Sequence, residues 1–407
     1  MEKDAMKLTA FNVIAAWAGD TNEFTDRFGA VTQANFETWA NAVLQFPEVR
    51  NSFCNYLINK IGRTYVNAMI AYDPLAFMRG EDLPFGYVIE DMFVEIAQSQ
   101  QFDPEGKETL NRKLPDVKVL YYAINTDLTY KVSVSDKELR QAFYREGQMS
   151  ALIERITNSL YQGARHDHFV FIKQLIAGFD GWEYQNIKEF DGTEETAKAN
   201  GKAMSKAIMF GRFDSKAHNA AGVYNNVPDG EGILLTTVSA QADLDYDYLA
   251  NVFNLSVAQL KAETVVVDNF NDRTDILAVY MDRRIVQNHF QYDNIEAQRN
   301  SEGRFTNYTL VQTAIYSMAK WFVGIAFTTA TPLAVKFDAN GGTGTMADRT
   351  AVNGTPFSTP FNSFKPASGK TFSGWCTAAT VDGSHTLLPE VGDINVTAET
   401  TLYAIWK

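Results

Sequence analysis

Two short motifs carry the residue types that could bind a metal ion. His166-Asp-His168 places two imidazoles two positions apart, and on a helix such side chains diverge without a third ligand nearby. Asp243-Leu-Asp-Tyr-Asp247 resembles the start of a calcium loop, but Tyr248 stands where that loop needs glycine and Asn254 where it needs glutamate. We therefore interpret His166–His168 as a polar junction between two helices, and we predict no metal site.

The motifs of common phosphate-binding and hydrolytic sites are absent from the sequence. Asn340-Gly-Gly-Thr-Gly344 lacks the Lys-Ser/Thr ending of a phosphate loop, and its Asn-Gly step favours a turn between strands. Cys54 and Cys376 lie in apolar surroundings, where a thiol packs as a small hydrophobic group. We predict no catalytic residue and no cofactor. Because carboxylates are abundant, an enzyme with an unrecognised carboxylate pair stays open as an alternative.

Length, composition and charge narrow the class of protein. The chain has 407 residues, which predicts two or three compact units, and its 45% hydrophobic content argues against global disorder. A net charge of −13 argues against a protein whose main task is to bind nucleic acid, since that requires clustered Lys and Arg. Two cysteines make no disulfide framework and fit a reducing cytosol.

Targeting and membrane segments are not predicted. The first twenty residues have no basic region followed by a long apolar stretch, so we expect no signal peptide. The most apolar segment, 314–335, is interrupted by Lys320 and Pro332. A membrane-spanning helix needs about 20 apolar residues, so a buried strand or helix is the better interpretation.

Two segments that favour β-strands flank a polar stretch in the first third of the chain. Residues 87–96 and 118–124 mix β-branched and aromatic side chains, and residues 98–115 between them carry both charge signs. This pattern predicts an extended β-arm with a polar tip. A two-stranded ribbon is marginally stable alone, so the arm needs a partner surface.

The predicted arm is followed by a segment with helical periodicity and then by a segment in which strands and helices alternate. Ser135-Asp-Lys-Glu138 is a capping box, and apolar residues at helical spacing follow in two stripes, Leu139–Leu160 and Phe169–Ile176. Strands and helices alternate between about residues 193 and 280, which predicts a mixed α/β unit.

The composition changes sharply after Pro332. Gly, Thr, Ser, Asn and Pro dominate residues 333–407, where short apolar runs predict an all-β unit. This segment has five basic and six acidic residues, so the remainder of the chain carries nearly all of the acidity. A break of this kind marks a separate unit, which we expect to be dispensable for the function of the rest.

Several collinear pieces resemble the major capsid proteins of phi-29-like short-tailed phages. The resemblance covers most of residues 60–330, and its pieces are Phe77-Met-Arg-Gly-Glu-Asp-Leu-Pro-Phe-Gly86, Val88-Ile-Glu-Asp-Met-Phe93, Gln101-Phe-Asp103, Leu114-Pro-Asp-Val-Lys-Val-Leu120, Leu244-Asp-Tyr-Asp-Tyr-Leu-Ala-Asn-Val-Phe-Asn254 and Val265-Val-Val-Asp-Asn-Phe270. The resemblance implies an α+β chain with the HK-97 type capsid fold. Residues 1–332 would be the capsid body, with an N-terminal arm, an extended β-loop at about 74–134, a peripheral domain with a spine helix at about 135–178, and an axial domain at about 184–307.

Residues 333–407 resemble a second family. Val335-Lys-Phe-Asp-Ala-Asn-Gly-Gly-Thr-Gly344, Phe372-Ser-Gly-Trp375 and Thr401-Leu-Tyr-Ala-Ile-Trp406 are similar to the Listeria–Bacteroides repeat, also called the internalin B-repeat. The resemblance implies a small β-grasp-like domain of a kind found on cell-surface proteins. One copy after a capsid body implies an exterior decoration or a host-surface adhesion module.

We therefore predict a structural protein, not an enzyme. It would assemble with copies of itself into the pentamers and hexamers of an icosahedral or prolate shell around double-stranded DNA. The resemblance also implies a scaffolding protein and a portal as partners, nonspecific DNA contact on the inner face, assembly in the host cytoplasm and residence in the virion capsid. The alternative outside the capsid class is a bacterial surface adhesin or glycan-binding protein.

The charged tip of the predicted arm supplies the candidate contact residues. We predict that these side chains set the register of docking on a neighbouring subunit through complementary charge, although a solvated tip is an equally simple interpretation. They are Asp103, Glu105, Lys107, Glu108, Arg112 and Lys113.

Overall fold

The computed structural model describes most of the chain. The described residues are 10–21, 24–32, 34–46, 48–50, 52–53, 56, 73–97, 99, 114–135, 148–191, 193–245, 262–366, 369–382 and 385–407. The helices are α1 (Ala10–Thr21), α2 (Thr25–Phe28), α3 (Phe36–Gln45), α4 (Gln148–Ala177), α5 (Glu194–Gly211) and α6 (Val238–Asp245). The strands of the first 332 residues are β1 (Ile89–Val94), β2 (Val117–Tyr122), β3 (Thr126–Ser135), β4 (Glu183–Asn186), β5 (Gly232–Thr237), β6 (Glu263–Val267), β7 (Ile276–Asp282), β8 (Val286–Asn300), β9 (Phe305–Met318) and β10 (Gly324–Thr328).

The N-terminal helices form a small unit with its own apolar core. Trp17 packs edge-to-face on Trp39 and Phe53, with ring centroids 5.5 and 5.3 Å apart. The spacing of Phe36, Trp39 and Val43 predicts helix α3, and the structure confirms it. In the described part of the chain, this apolar cluster draws only on residues between 14 and 56.

Strands β1 and β2 form an antiparallel hairpin. Their register runs from Ile89 opposite Tyr122 to Val94 opposite Val117, as the two strand-like segments of the sequence predict. Strand β3 then leaves this hairpin and joins a separate three-stranded antiparallel sheet in the order β3-β9-β8. Only part of the predicted 74–134 arm therefore belongs to the two-stranded ribbon.

Helix α4 runs without interruption through His166–His168, so the interpretation of these residues as a junction between two helices is wrong. His168 lies on the buried side of the helix. Its Nδ1 is 2.9 Å from Oδ2 of Asp73, and its Nε2 is 2.6 Å from Nδ2 of Asn288. The polar side chain is satisfied by distant parts of the chain, so the helix has no local reason to break.

A mixed five-stranded sheet forms the second half of the body. Its order is β4-β10-β7-β5-β6, with parallel pairs at both edges and antiparallel pairs in the middle. Strand β5 is buried at every residue, and β10 likewise. One face of the sheet contributes Ile233, Val279 and Ala326 to the core shared with α4, and the other face packs on α5.

The C-terminal module is built from six strands. They are β11 (Leu333–Asp338), β12 (Arg349–Ala351), β13 (Thr355–Ser358), β14 (Phe372–Cys376), β15 (Asp393–Val396) and β16 (Thr400–Trp406). Four of them form a sheet in the order β12-β11-β16-β14, and β13 pairs with β15. Trp375 is fully buried among Phe337, Phe364 and Phe372 at the centre of the module. Cys376 is buried beside it, in accord with its predicted packing role.

Candidate intersubunit surface

The β1–β2 hairpin has one exposed and one attached face because side chains alternate along a strand. The exposed face carries the cross-strand pairs Met92–Val119 and Val94–Val117, and next to them the pair Glu90–Tyr121. Met92 is 54% exposed and Tyr121 is 66% exposed. The hydroxyl of Tyr121 donates a 2.9 Å hydrogen bond to Oε1 of Glu90, which orders the polar end of this face.

The opposite face attaches the hairpin to the body. The ring of Phe93 stacks on the indole of Trp321, with centroids 5.5 Å apart and planes 18° apart. Leu120 joins the same apolar cluster, and the hydroxyl of Tyr122 lies 3.4 Å from the carbonyl oxygen of Met318. Burial raises the pKa of Asp91, whose carboxylate faces the Trp321 N–H on this side.

Exposed apolar side chains concentrate around this hairpin. More than half of the large hydrophobic side chains that are exposed in the described part of the chain lie between residues 85 and 124. These are Phe85, Tyr87, Val88, Met92, Val94, Ile96, Leu114, Val117, Tyr121 and Ile124. A concentration of exposed apolar side chains in one region favours a role in protein–protein contact.

The predicted contact residues lie in sequence between β1 and β2. Asp103, Glu105, Lys107, Glu108, Arg112 and Lys113 lie outside the described residues. Their part in docking therefore stays a prediction. The structure adds a surface that the sequence analysis did not single out, the apolar outer face of the hairpin itself. Exposure alternates strictly along β1, and Glu90, Met92 and Val94 are its exposed residues.

A second exposed apolar patch lies where α5 ends. Met209, Phe210 and Phe213 are all more than half exposed, and Tyr224 lies in the loop that follows. Lys206 lies over the ring of Phe210 and Lys216 over the ring of Tyr224, at 5.8 and 4.7 Å from the centroids. This patch could not be predicted from the sequence, because aromatic residues at a helix end are equally consistent with a core.

The described residues offer little for metal or membrane chemistry. Across those ranges, no three His, Cys, Asp or Glu side chains come close enough together to hold a metal ion. A search of the same residues finds no helix with the length and hydropathy needed to cross a membrane. Both ring nitrogens of His168 are already engaged by Asp73 and Asn288.

Comparison with known proteins identifies the two parts of the chain. Residues 15–328 match the family of Phi29-like phage major capsid proteins, and residues 334–405 match the Listeria-Bacteroides repeat domain. The major capsid protein of Bacillus phage GA-1 is 26% identical over 345 residues, which cover 80% of this chain and 71% of that protein. The major capsid protein of Bacillus phage B103 is 27% identical over 322 residues, with 76% and 71% covered.

Comparison of structures gives the same fold. The capsid structure of Staphylococcus phage Andhra superposes with a TM-score of 0.53 at 12% identity, over 65% of this chain and 86% of the other. The body therefore has the phage capsid fold of HK-97 type that the sequence resemblance implies. Since the family match spans most of the chain, the protein belongs to the Phi29-like phage major capsid proteins, structural proteins without enzymatic activity that associate with copies of themselves to build the shell of a tailed-phage virion.

Proposed function

We propose that this subunit forms the pentamers and hexamers of an icosahedral or prolate shell around double-stranded DNA, with the β1–β2 hairpin lying across a neighbouring subunit. The observation that supports this proposal is the outer face of the hairpin, where Met92, Val94 and Tyr121 are exposed on a ribbon whose other face is already attached. Burial of that face against a second copy removes apolar area from water, which is the main driving force of association.

The size of the arm suits the contact it has to make. Obligate subunit interfaces bury roughly 2,000–5,000 Å². The hairpin contributes its outer face and its edges to such an area, and other contacts of the subunit supply the rest. Since two-stranded ribbons are marginal alone, the neighbour also stabilises the hairpin.

The charged tip sets the docking register in this proposal. Residues 103–113 carry both signs of charge, so a shifted register would bring like charges together on a neighbour of fixed pattern. The apolar face supplies affinity and the tip supplies specificity. The two contributions can be separated by salt, because only the charge contribution is screened.

The remaining regions take the places that the family resemblance implies. Helix α4 is the spine of the peripheral domain, and the five-stranded sheet with α5 and α6 is the axial domain at the capsomer centre. The exposed patch at Phe210 and Phe213 supports an axial contact between subunits. Scaffolding protein, portal and packaged DNA complete the partners, and the acidic chain favours only nonspecific DNA contact. Assembly takes place in the host cytoplasm, and the C-terminal module faces outward as a decoration or a host-surface adhesion domain.

Electron microscopy of the full chain, expressed with and without the scaffolding protein of its phage, tests the proposal. We expect closed shells or ring-shaped capsomers, with small outward knobs contributed by the C-terminal module. A monodisperse monomer under both conditions would overturn the proposal and direct attention to the adhesin alternative. The module would then be screened against cell-wall glycans.

A further inference from the structure

The C-terminal module is joined to the body by a buried charge. Arg349 of β12 is 2% exposed. Its Nε lies 3.3 Å from Oε2 of Glu183, and its terminal nitrogens donate to the carbonyl oxygens of Asn219 and Gly181, at 2.6 and 3.2 Å. Every one of these acceptors belongs to the body. A guanidinium in this setting is satisfied only while the module is seated.

The next residues of β12 close the edge of the axial sheet. Strand β4 is an edge strand, so one row of its backbone groups has no strand partner. The hydroxyl of Thr350 accepts a 2.7 Å bond from the N–H of Tyr184 and donates a 3.1 Å bond to the carbonyl oxygen of Tyr184. Two residues later, Val352 is buried in the main core of the body. The module therefore protects the edge and extends the core.

A second polar contact lies beside the first. The Nζ of Lys320 is 2.6 Å from Oδ2 of Asp180 and 2.9 Å from Oγ of Ser358. The N–H of Ser358 donates to the carbonyl oxygen of Asp180 at 2.9 Å. Asp180 and Lys320 belong to the body, and Ser358 ends β13 of the module, so the two units also share hydrogen bonds here.

The module reaches the loop-proximal end of the β1–β2 hairpin through a stack of three aromatic rings. Phe93 of β1 and Phe361 of the module both stack on the indole of Trp321 in the body, and the Phe361 ring is 5.6 Å from it at 13°. The Nζ of Lys118 on β2 lies 5.5 Å from the centroid of Phe361. The N–H of Phe361 donates to the carbonyl oxygen of Ala221 at 3.0 Å, which fixes the ring in place. Both strands of the hairpin thus contact the stack.

We propose that the C-terminal module is a clamp that holds the loop-proximal end of β1 and β2 against the body and so sets the direction in which the chain leaves β1 towards a neighbouring subunit. The proposal rests on the function proposed above, because it concerns the arm that contacts the neighbour. It replaces the expectation that residues 333–407 are dispensable. A tethered decoration needs none of the contacts that Arg349, Thr350 and Phe361 make with the body, and the connection from Thr328 to Leu333 is too short to act as a long tether.

Hydrogen–deuterium exchange on unassembled full-length subunits tests the clamp. The variant Phe361→Ala removes one ring of the stack and leaves Arg349 in place, and Phe361 is only half-buried, so the module should stay folded. We expect amide exchange in β1 and β2 to rise at least fivefold, with β11 and β16 unchanged. Phe213→Ala, which removes an exposed ring elsewhere on the body, should leave β1 and β2 at the wild-type rate.

A second variant covers the case in which Phe361→Ala also loosens the module. Phe361→Leu keeps an apolar side chain but no ring to stack, and should raise exchange in β1 and β2 less than alanine does. Unchanged exchange in both strands with either variant would overturn the clamp. Shell formation by the wild-type chain is scored separately, so its failure would count against the proposed function without bearing on the exchange result.

Discussion

Arg349 of the C-terminal module and Glu183 of strand β4 form an ion pair that is buried on both sides, with Nε and Oε2 3.3 Å apart. Burial raises the pKa of Glu183 and lowers the pKa of Arg349, and the attraction between the two groups opposes both changes. Two charges removed from water in this way depend on each other, because either one alone would be an uncompensated buried charge. The pair makes module and body a single energetic unit.

Replacing Arg349 should therefore cost more than replacing both partners. Arg349→Met leaves Glu183 buried without a counter-charge, and removing one partner of a buried pair typically costs about 3–5 kcal/mol. The double variant Arg349→Met, Glu183→Gln also removes the Glu183 charge, which the single variant leaves buried without a partner. The double variant should therefore be less destabilised. Thermal denaturation of the three proteins at pH 7 measures the difference. Equal midpoints for the single and double variants would show that the pair is solvated.

The apolar outer face of the hairpin gives a second prediction. Met92→Asp places a carboxylate where the neighbouring subunit is proposed to pack, so we expect assembly to fail. Met92 is exposed in the free subunit, so the thermal midpoint should stay within about 1 °C of the wild type, as for ordinary surface changes. Shell yield by sedimentation measures assembly.

The control for this variant is Val381→Asp, which makes the same kind of change at a 47% exposed position of the C-terminal module. It should assemble normally. Wild-type shell yield from Met92→Asp would contradict a neighbour seated on this face. Failure of both variants would point to a general effect of added negative charge on an already acidic chain.

Local sequence was sufficient to predict some secondary-structure elements and not others. Strands β1 and β2 were predictable, because alternating β-branched and aromatic residues bounded by a polar stretch favour a hairpin. The continuity of α4 through His166–His168 was not predictable, because the partners of His168 lie 95 and 120 residues away in sequence. No local pattern could show that this histidine is buried and satisfied.

The contacts between the C-terminal module and the body were equally unpredictable from the sequence. Arg349 follows an aspartate in a polar stretch and looks like an ordinary surface residue of a small β unit. Its burial depends on backbone carbonyls at Gly181 and Asn219, which become acceptors only once the body has folded around them. The composition break at Pro332 comes directly before β11, the first strand of a different sheet, but composition carries no information about contacts across that point.

The charge-register hypothesis is tested at the hairpin tip. Reversal of two charges in Lys107→Glu, Arg112→Glu should reduce the assembly rate at low ionic strength and have little effect at high salt, because screening weakens exposed charges. Light scattering at two salt concentrations measures the rate. Assembly of the variant at the wild-type rate in low salt would leave these residues as a solvated tip. The conservative pair Lys107→Arg, Arg112→Lys preserves the charges and should behave as the wild type.

The carboxyl groups at the module seat predict a dependence on pH. The hydrogen bond with Asp180, together with partial burial, raises the pKa of Asp393 to about 6. Burial opposes ionisation of Asp180, but Asp393 and Lys320 outweigh it and lower the pKa of Asp180. Because the folded-state pKa of Asp393 is raised, the folded protein holds its proton more tightly. Its contribution to stability is present in acid and is lost as pH rises through 6.

The thermal midpoint of the wild type should therefore fall between pH 5 and pH 7 by more than that of Asp393→Asn, whose amide does not titrate. The difference should be small, because the Asp393 side chain is 66% exposed. Glu399→Gln removes the same charge at an exposed position of the module and should keep the wild-type slope. A steeper slope for Asp393→Asn would contradict the assigned direction.

A comparison of alanine variants at two glycines with positive φ distinguishes the effect of backbone strain from the effect of loosening the contact between module and body. Gly222 has φ 68° and Gly230 has φ 88°, so alanine is strained at both, by roughly 1–2 kcal/mol. A Cβ at Gly222 would lie 2.9 Å from Cβ of Pro360, the neighbour of Phe361, whereas a Cβ at Gly230 meets nothing within 4 Å. Gly222→Ala should therefore lower the thermal midpoint more than Gly230→Ala and should also raise amide exchange in β1 and β2. Equal effects of the two variants on midpoint and exchange would mean that the module can withdraw from Gly222 without disturbing the hairpin, and would count against tight seating at this point.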